Sequence, residues 1–476
     1  MDYAQSMTDT TEIDQACAAF ARQENLPGLL AGLVRDGQLV HVTALGQADR
    51  EAGRAVTPET SFRIASMTKS TTALAVLALR DAGKLALDAP LADYIPQFAA
   101  AAPPTRDSAP VTVRHLLTHT AGFVTDDPWG DRVLGMSPAT LDALIATGQL
   151  FSRPPGIAFE YSNLGYALLG RVITNVSGEP YQRFIRHTLL QPLGMTRTTF
   201  DAFEAARGDF AWGYRCDSNV FSRERLEPDG EVGAMGGLAT TAADYTRYLT
   251  FLLGAWPPRD DPESGPVRRA SVREMGLFHA PPVLPDPPVP TAYGYGLVDA
   301  VDPVLGRRLH HPGGLPGYGS HMLFLPERGV GVFAFANRTY APMSRLTPHL
   351  AALFLAEQPK PAPLPPSPWL KRAVEAVVSA YTAGRIETAA SVFAENLLLD
   401  MPALLRNVEL ARLKQQLGEG RLDSIEPTHA LSGRFTMACE RGRLRGSIVL
   451  SPEAEPGIQK LVLEMAVSSF PVSSQA

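Results

Sequence analysis

Residues 62–83 read FRIASMTKSTTALAVLALRDAG, and their reading decides the fold. The run from Thr71 is apolar enough to be a buried helix, yet its start carries Ser66 and, one turn on, Lys69. Positions i and i+3 share a helix face, so the ammonium can reach the hydroxyl. A lysine beside an apolar run is costly to bury unless something uses it. A serine hydroxyl is a weak nucleophile that needs an adjacent base. At a helix start it also has free N–H groups and a dipole favouring negative charge. Ser-x-x-Lys nonetheless recurs by chance, and serine is a common helix cap, so the pair alone does not define chemistry.

Working outward, two strand-like runs precede this helix, LLAGLVRDG (29–37) and LVHVTALG (39–46), with RDGQ as a hairpin turn. A helix-like segment, TEIDQACAAFARQE (11–24), comes before them. Residues 84–290 alternate helical pieces with Pro/Gly-rich loops, among them TTAADYTRYLTFLLG (240–254), with threonine to cap it and Gly254 to end it. Beyond that the period becomes two: YGYGLVDA (293–300), RRLHHPGG (307–314), GSHMLFLPERG (319–329) and VGVFAFAN (330–337) read as consecutive strands. The pattern predicts an α+β unit, 1–356. One antiparallel sheet is built from both ends of the unit and flanked by helices, with a mainly helical subdomain inserted at about 84–290. A cleft is expected where the two meet.

EQPKPAPLPPSP (357–368) is too rich in proline for a helix and reads as a semi-rigid linker. Residues 369–476 then suggest a small α+β accessory domain. Helices run over 369–395, broken at Gly384, and over 403–420. Three strands follow, THALSGRFTMAC (428–439), RGRLRGSIVLS (441–451) and GIQKLVLEMAV (457–467).

With 476 residues, 45% hydrophobic and 19% charged, the composition is that of a globular enzyme. A net charge of −6 gives no reason to expect nucleic acid or an anionic membrane as partner. No apolar run approaches the roughly 18 residues of a membrane span. Cys17, Cys216 and Cys439 are odd in number and lack CxxC spacing, as expected of reduced structural thiols. The first twenty residues show no basic n-region and no apolar h-region, so a cytoplasmic address is expected if residue 1 is the native start.

Two further stretches carry polar groups in apolar surroundings. In PPGIAFEYSNLGYALLG (154–170), Tyr161 and Asn163 lie where a loop enters a helical run. A phenol beside an ammonium ionises more easily, so Tyr161 can take the proton of Ser66 and return it to a leaving group. Asn163 can hold the lysine or a substrate carbonyl. In LHHPGGLPGYGSHMLFLP (309–326), His311-Pro312-Gly313-Gly314 lies along a strand, where glycines allow a ligand to come close. The N–H of Gly314 can pair with that of Ser66 around an oxyanion, one such donor being worth roughly a hundredfold in rate.

Taken in this order, Ser66-x-x-Lys69, Tyr161-x-Asn163 and His311-x-Gly313 resemble the three motifs of the serine β-lactamase and penicillin-binding-protein superfamily. More narrowly they resemble its class C-like branch of D-alanyl-D-alanine carboxypeptidases, D-aminopeptidases and esterases. VTVRHLLTHTAGF (111–123), LLQPLGMTRT (189–198), GGLATTAADYTRYL (236–249) and GGLPGYGSHMLFLPERGVGVFAFAN (313–337) extend the resemblance over about residues 12–356. It implies Ser66 as the acyl-forming nucleophile, activated by Lys69 and Tyr161, with Asn163, His311 and Gly313 positioning the substrate. The N–H groups of Ser66 and Gly314 would form the oxyanion hole. The substrate would be a small ester, amide or lactam, and no metal or organic cofactor is implied.

The third motif departs from the lysine of true β-lactamases. Lysine gives a permanent cation for a substrate carboxylate, whereas histidine is largely neutral at pH 7. This points to an esterase-type hydrolase with little lactam cleavage. A D-amino-acid peptidase, or a ligand-binding protein on the same fold that has lost turnover, stays open. The tail weakly resembles cystatin-like or nuclear-transport-factor-like domains and offers a homo-oligomer contact or a lid. His115 and His119 have the i, i+4 spacing of a zinc helix but lack its glutamate, so a structural role is expected. Glu160 is expected to be a structural hydrogen-bonding partner, and residues 217–237 to border the cleft.

Overall fold

The computed structural model describes residues 10–277, 279–280, 290–356 and 365–466. It divides into two compact units, Met1–Pro359 and Lys360–Ala476. Most of the proline-rich linker (357–364), and the first nine residues of the leader reading, lie outside the described residues.

The first unit is organised by an eight-stranded antiparallel sheet. Its strands are β1 (Gly28–Arg35), β2 (Gln38–Asp49), β3 (Arg54–Ala55), β4 (Thr291–Tyr293), β5 (Val298–Asp302), β6 (Gly306–Leu315), β7 (Tyr318–Leu325) and β8 (Val330–Ala336). They lie in the order β3-β2-β1-β8-β7-β6-β5-β4. The seam between β1 and β8, in register from Leu29 opposite Ala336 to Arg35 opposite Val330, joins the two ends of the unit as expected. Asp36 and Gly37, both at positive φ (49° and 80°), make the β1–β2 turn, a conformation for which glycine carries no Cβ penalty.

Side chains of a strand alternate between faces, and here both faces are covered. Leu30 and Val34 enter the core shared with helices Thr68–Asp81, Asn163–Ser177 and Ala242–Leu253. Leu29, Ala31 and Leu33 pack with helices Thr11–Gln23 and Thr347–Ala356 on the other side. Double burial explains why β1 reads as a continuous apolar run although its neighbours are antiparallel.

One strand reading needs correction. YGYGLVDA is not one strand but a hairpin: β4 ends at Tyr293, the N–H of Gly294 donates to the carbonyl of Leu297, and β5 starts at Val298. Gly296, at φ 69°, makes the reversal.

The second unit packs helices Pro368–Ala383 and Ala403–Leu417 on a four-stranded antiparallel meander. Its strands are β9 (Gly420–His429), β10 (Ser432–Cys439), β11 (Gly442–Leu450) and β12 (Ile458–Met465). Gly384, at φ 67°, ends the first helix as expected, but the segment after it, Ile386–Val392, is a 3₁₀-helix. The fourth strand, β9, was not foreseen. Pro427 argues against a strand interior, yet β9 is an edge strand and its register shifts there, which is where a sheet tolerates proline.

Candidate active site

Ser66 lies on a 3₁₀ turn, Ala65–Met67, and the α-helix proper begins at Thr68. Ala65 has φ 49°, sparsely populated for a residue with a Cβ. Anchors on either side hold the turn. The N–H of Ile64 donates to the Leu238 carbonyl at 3.0 Å, and the Ser320 hydroxyl on β7 donates to the Ile64 carbonyl at 2.7 Å. Ser66 thereby reaches the wall of an open cleft of about 500 Å³, whose lining includes Tyr161, Asp127, Asp131, Gly313 and Gly314.

Lys69 sits one turn behind, fully buried. Its Nζ donates to Ser66 Oγ at 2.9 Å, Asn163 Oδ1 at 2.8 Å and the Met235 carbonyl at 2.8 Å. Three acceptors use all three protons of an ammonium. Burial pushes the Lys69 pKa down to about 8, against the opposing pull of Asp127, Asp131 and Asp126.

Tyr161 precedes helix Asn163–Ser177, where the Ser162 hydroxyl accepts from the Gly165 N–H at 3.3 Å. Asp126 caps the same end, accepting from the N–H groups of Asn163 and Leu164 at 2.7 Å each. Asn163 is thus fixed from both sides, its Oδ1 on Lys69 and its Nδ2 donating to Asp127. Lys69 Nζ lies 4.8 Å from the Tyr161 ring centroid. Yet proximity to the ammonium does not acidify this phenol as expected. Burial holds the Tyr161 pKa well above its usual value, reinforced by Asp127 and only partly offset by the hydrogen bond with Ser66. A phenolate has little solvation here, and the two carboxylates oppose a further negative charge.

The third motif lies on β6, which pairs with β5 only as far as His310, so residues 311–315 pair with β7 and, among the described residues, have no strand on their other edge. Pro312, Gly313 and Gly314 line the cleft on this edge. His311 does not join them. Its ring is buried, with Nε2 2.9 Å from the Tyr293 hydroxyl and Nδ1 2.6 Å from the Pro312 carbonyl. A carbonyl only accepts, so Nδ1 carries the proton and Nε2 accepts from Tyr293. Burial, then the charge on Lys69, brings its pKa to about 3, so His311 offers no cation to a ligand.

Sequence reasoning missed several neighbours. Asp127 and Asp131 come from the loop TDDPWGD (125–131), whose course periodicity does not reveal. Asp131 accepts from the Tyr340 hydroxyl at 2.8 Å, and burial, then Asp127, raises its pKa to about 6. Met235 falls within the stretch expected to border the cleft and contributes its carbonyl. His119 packs its ring 4.3 Å from that of Tyr161, and its Nδ1 accepts from the Ser162 N–H at 3.2 Å. His115 caps its own short helix with Thr112. Glu160 holds Thr125, Ser152 and Arg153, the structural role expected of it.

Comparison with known proteins identifies the family. The family model described as Beta-lactamase matches residues 13–356. Protein flp of Staphylococcus aureus (strain N315) is 26% identical over 340 residues, 71% of this chain; the chain spans 65% of the length of that relative. Esterase EstB of Burkholderia gladioli is 30% identical over 367 residues, covering 68% of this chain and 89% of the esterase. The octameric penicillin-binding protein homologue from Pyrococcus abyssi superposes with a TM-score of 0.64 at 24% identity, covering 96% of this chain and 95% of that one. A class C beta lactamase from Rhodobacter sphaeroides gives 0.57 at 23% identity, over 72% of this chain and 97% of its own. Those two likenesses show the fold, and no helix among the described residues is long and apolar enough to cross a membrane. The matching family model and the related esterase establish that this chain belongs to the β-lactamase family.

Proposed function

We propose that the chain hydrolyses small esters through an acyl-enzyme on Ser66, with little or no β-lactam cleavage. The observation that carries this reading is the 2.9 Å contact between Lys69 Nζ and Ser66 Oγ at the wall of an open cleft. With a pKa of about 8, about one Lys69 in ten is neutral at pH 7 and can accept a proton. Ser66 Oγ attacks the carbonyl as its proton passes to Lys69. Tyr161, kept as a neutral phenol, gives its proton to the leaving oxygen and is reprotonated from Lys69. The N–H groups of Ser66 and Gly314 receive the oxyanion. Water then attacks the acyl group, using the same base, and frees the serine. Asn163 holds the lysine, and Gly313 leaves room for the turn that carries Ser66 to pack against the strand. His311 acts by fixing the strand rather than by touching a ligand.

The neutral, inward-turned His311 weighs against substrates that need a cation for their carboxylate, and the relative EstB is named an esterase. Wild type and Ser66→Ala are compared on p-nitrophenyl butyrate, D-alanine p-nitroanilide and nitrocefin, with intact-mass detection of adducts. Expected are ester turnover and a butyryl adduct in the wild type, both absent from Ser66→Ala, with nitrocefin nearly inert. Preference for the anilide moves the reading to a D-amino-acid peptidase. If the wild type gives neither turnover nor adduct, a ligand-binding protein is the better account.

The second unit offers an oligomer contact. Leu404 and Val408, 74% and 61% exposed, lie one turn apart on helix Ala403–Leu417, and the Pyrococcus abyssi homologue is octameric. The whole chain is expected to run as an oligomer by light scattering, and Leu404→Glu with Val408→Glu to run smaller. A monomeric wild type refutes this.

A further inference from the structure

The charge balance of the cleft is one-sided. Asp127 and Asp131 line it, and the remaining lining residues, Ser66, Pro128, Pro312, Gly313, Gly314 and the phenols Tyr161 and Tyr340, carry no positive charge. Lys69, the cation behind the wall, is buried, and its protons are directed to Ser66, Asn163 and Met235. Arg132 follows Asp131, but its guanidinium is paired with Glu224 at 3.0 Å. Asp126 adds a third carboxylate at the helix start behind Asp127. Asp131 lines the cleft although only 3% exposed, and the hydrogen bond it accepts among the described residues, from Tyr340, uses Oδ2.

We propose that, among esters, this cleft selects those bearing an ammonium group near the reacting carbonyl, held by Asp127 and Asp131 beside the ring of Tyr340. The proposal rests on Ser66 being the nucleophile of the same cleft. An ammonium gains from two carboxylates and from an aromatic face. A substrate carboxylate in the same place meets like charge and no compensating cation, so lactams and peptides ending in a free carboxylate are disfavoured. Preference among substrates is here a matter of charge more than of size, because an open cleft constrains shape weakly.

The test uses substrates of one shape and different charge. Acetylthiocholine and 3,3-dimethylbutyl thioacetate share acyl group and chain and differ in one atom, charged nitrogen for carbon. At pH 8 and low salt the cation is expected to have a kcat/KM about tenfold or more above that of its neutral isostere, with the preference shrinking in high salt. In Asp131→Asn and Asp127→Asn the ratio should fall toward one. A ratio taken within one protein cancels any change in Ser66 reactivity. A second readout needs no turnover: Ser66→Ala should bind phenyltrimethylammonium at least about tenfold more tightly than benzoate by calorimetry. A wild-type ratio at or below one, a ratio untouched by both substitutions, or equal binding of the two ions overturns the charge selection. Absence of thioester turnover in the wild type together with preferential cation binding would overturn the nucleophile reading and leave the selection standing.

Discussion

Lys69→Met is expected to lower kcat/KM for esters by up to about 10⁴-fold, the upper range for loss of a general base. The unbranched side chain fills the same space without an amine, so the protein should still fold while Ser66 loses its proton acceptor. The pH profile of the wild type gives the sharper check. A base acts only when unprotonated, so kcat/KM should climb about tenfold per unit as pH rises toward 8, then level off, following the depressed pKa of Lys69. Stability has the same sign. The folded-state pKa lies below the ordinary lysine value of 10.5, so between about 8 and 10.5 the unfolded chain binds more protons, and stability rises with pH through that window. Asp131, raised to about 6, is the other group able to shape the acid limb. A limb near 6 that vanishes in Asp131→Asn would assign the profile to that carboxylate, and full activity in Lys69→Met would refute the base altogether.

What the sequence revealed and concealed in this site divides along a physical line. Ser66 and Lys69 are three residues apart on a helical turn, and Tyr161 and Asn163 flank a helix cap, so local spacing alone carries those pairs. The large sheet was readable because short apolar runs bounded by turn residues mark strands even where both faces are buried. Asp127, Asp131 and Tyr340 reach the cleft through loops and long-range packing, which leave no period. The two errors of chemistry have one cause. Tyr161 was expected to be acidified by the neighbouring ammonium, and His311 to face a ligand. The first counted neighbours and the second followed the resemblance of the motif, and neither took account of burial, which is the largest influence on the pKa of each ring. The hairpin inside YGYGLVDA was hidden because glycine and tyrosine alternate as they would in a strand. In the second unit, Pro427 concealed a strand that lies at an edge.

Gly313→Ala tests how tightly the third motif is fitted against the nucleophile, and its expected effect is large for one methyl group. A Cβ at this position would come within 3 Å of Ser320 Oγ and 2.5 Å from the Ile64 carbonyl oxygen, with Ala65 Cβ at 3.1 Å. Those atoms belong to the bond between Ser320 and Ile64 that holds the turn carrying Ser66. Strands β6 and β7 are paired here, Gly313 opposite Ser320, so neither can move aside without breaking the ladder. The turn has to shift instead, and a nucleophile displaced by about 1 Å costs on the order of a hundredfold in rate. Overpacking of this kind also costs about 1–3 kcal/mol, enough to lower the melting temperature by several degrees. Gly208→Ala, whose added Cβ meets nothing nearer than 3.8 Å, serves as the control and should change neither quantity. Adding Ser320→Ala to Gly313→Ala removes one of the two clashing atoms but leaves the Ile64 carbonyl, so it should recover part of the stability and little of the rate. Full activity in Gly313→Ala would mean that the glycine is not what seats Ser66 at the cleft wall.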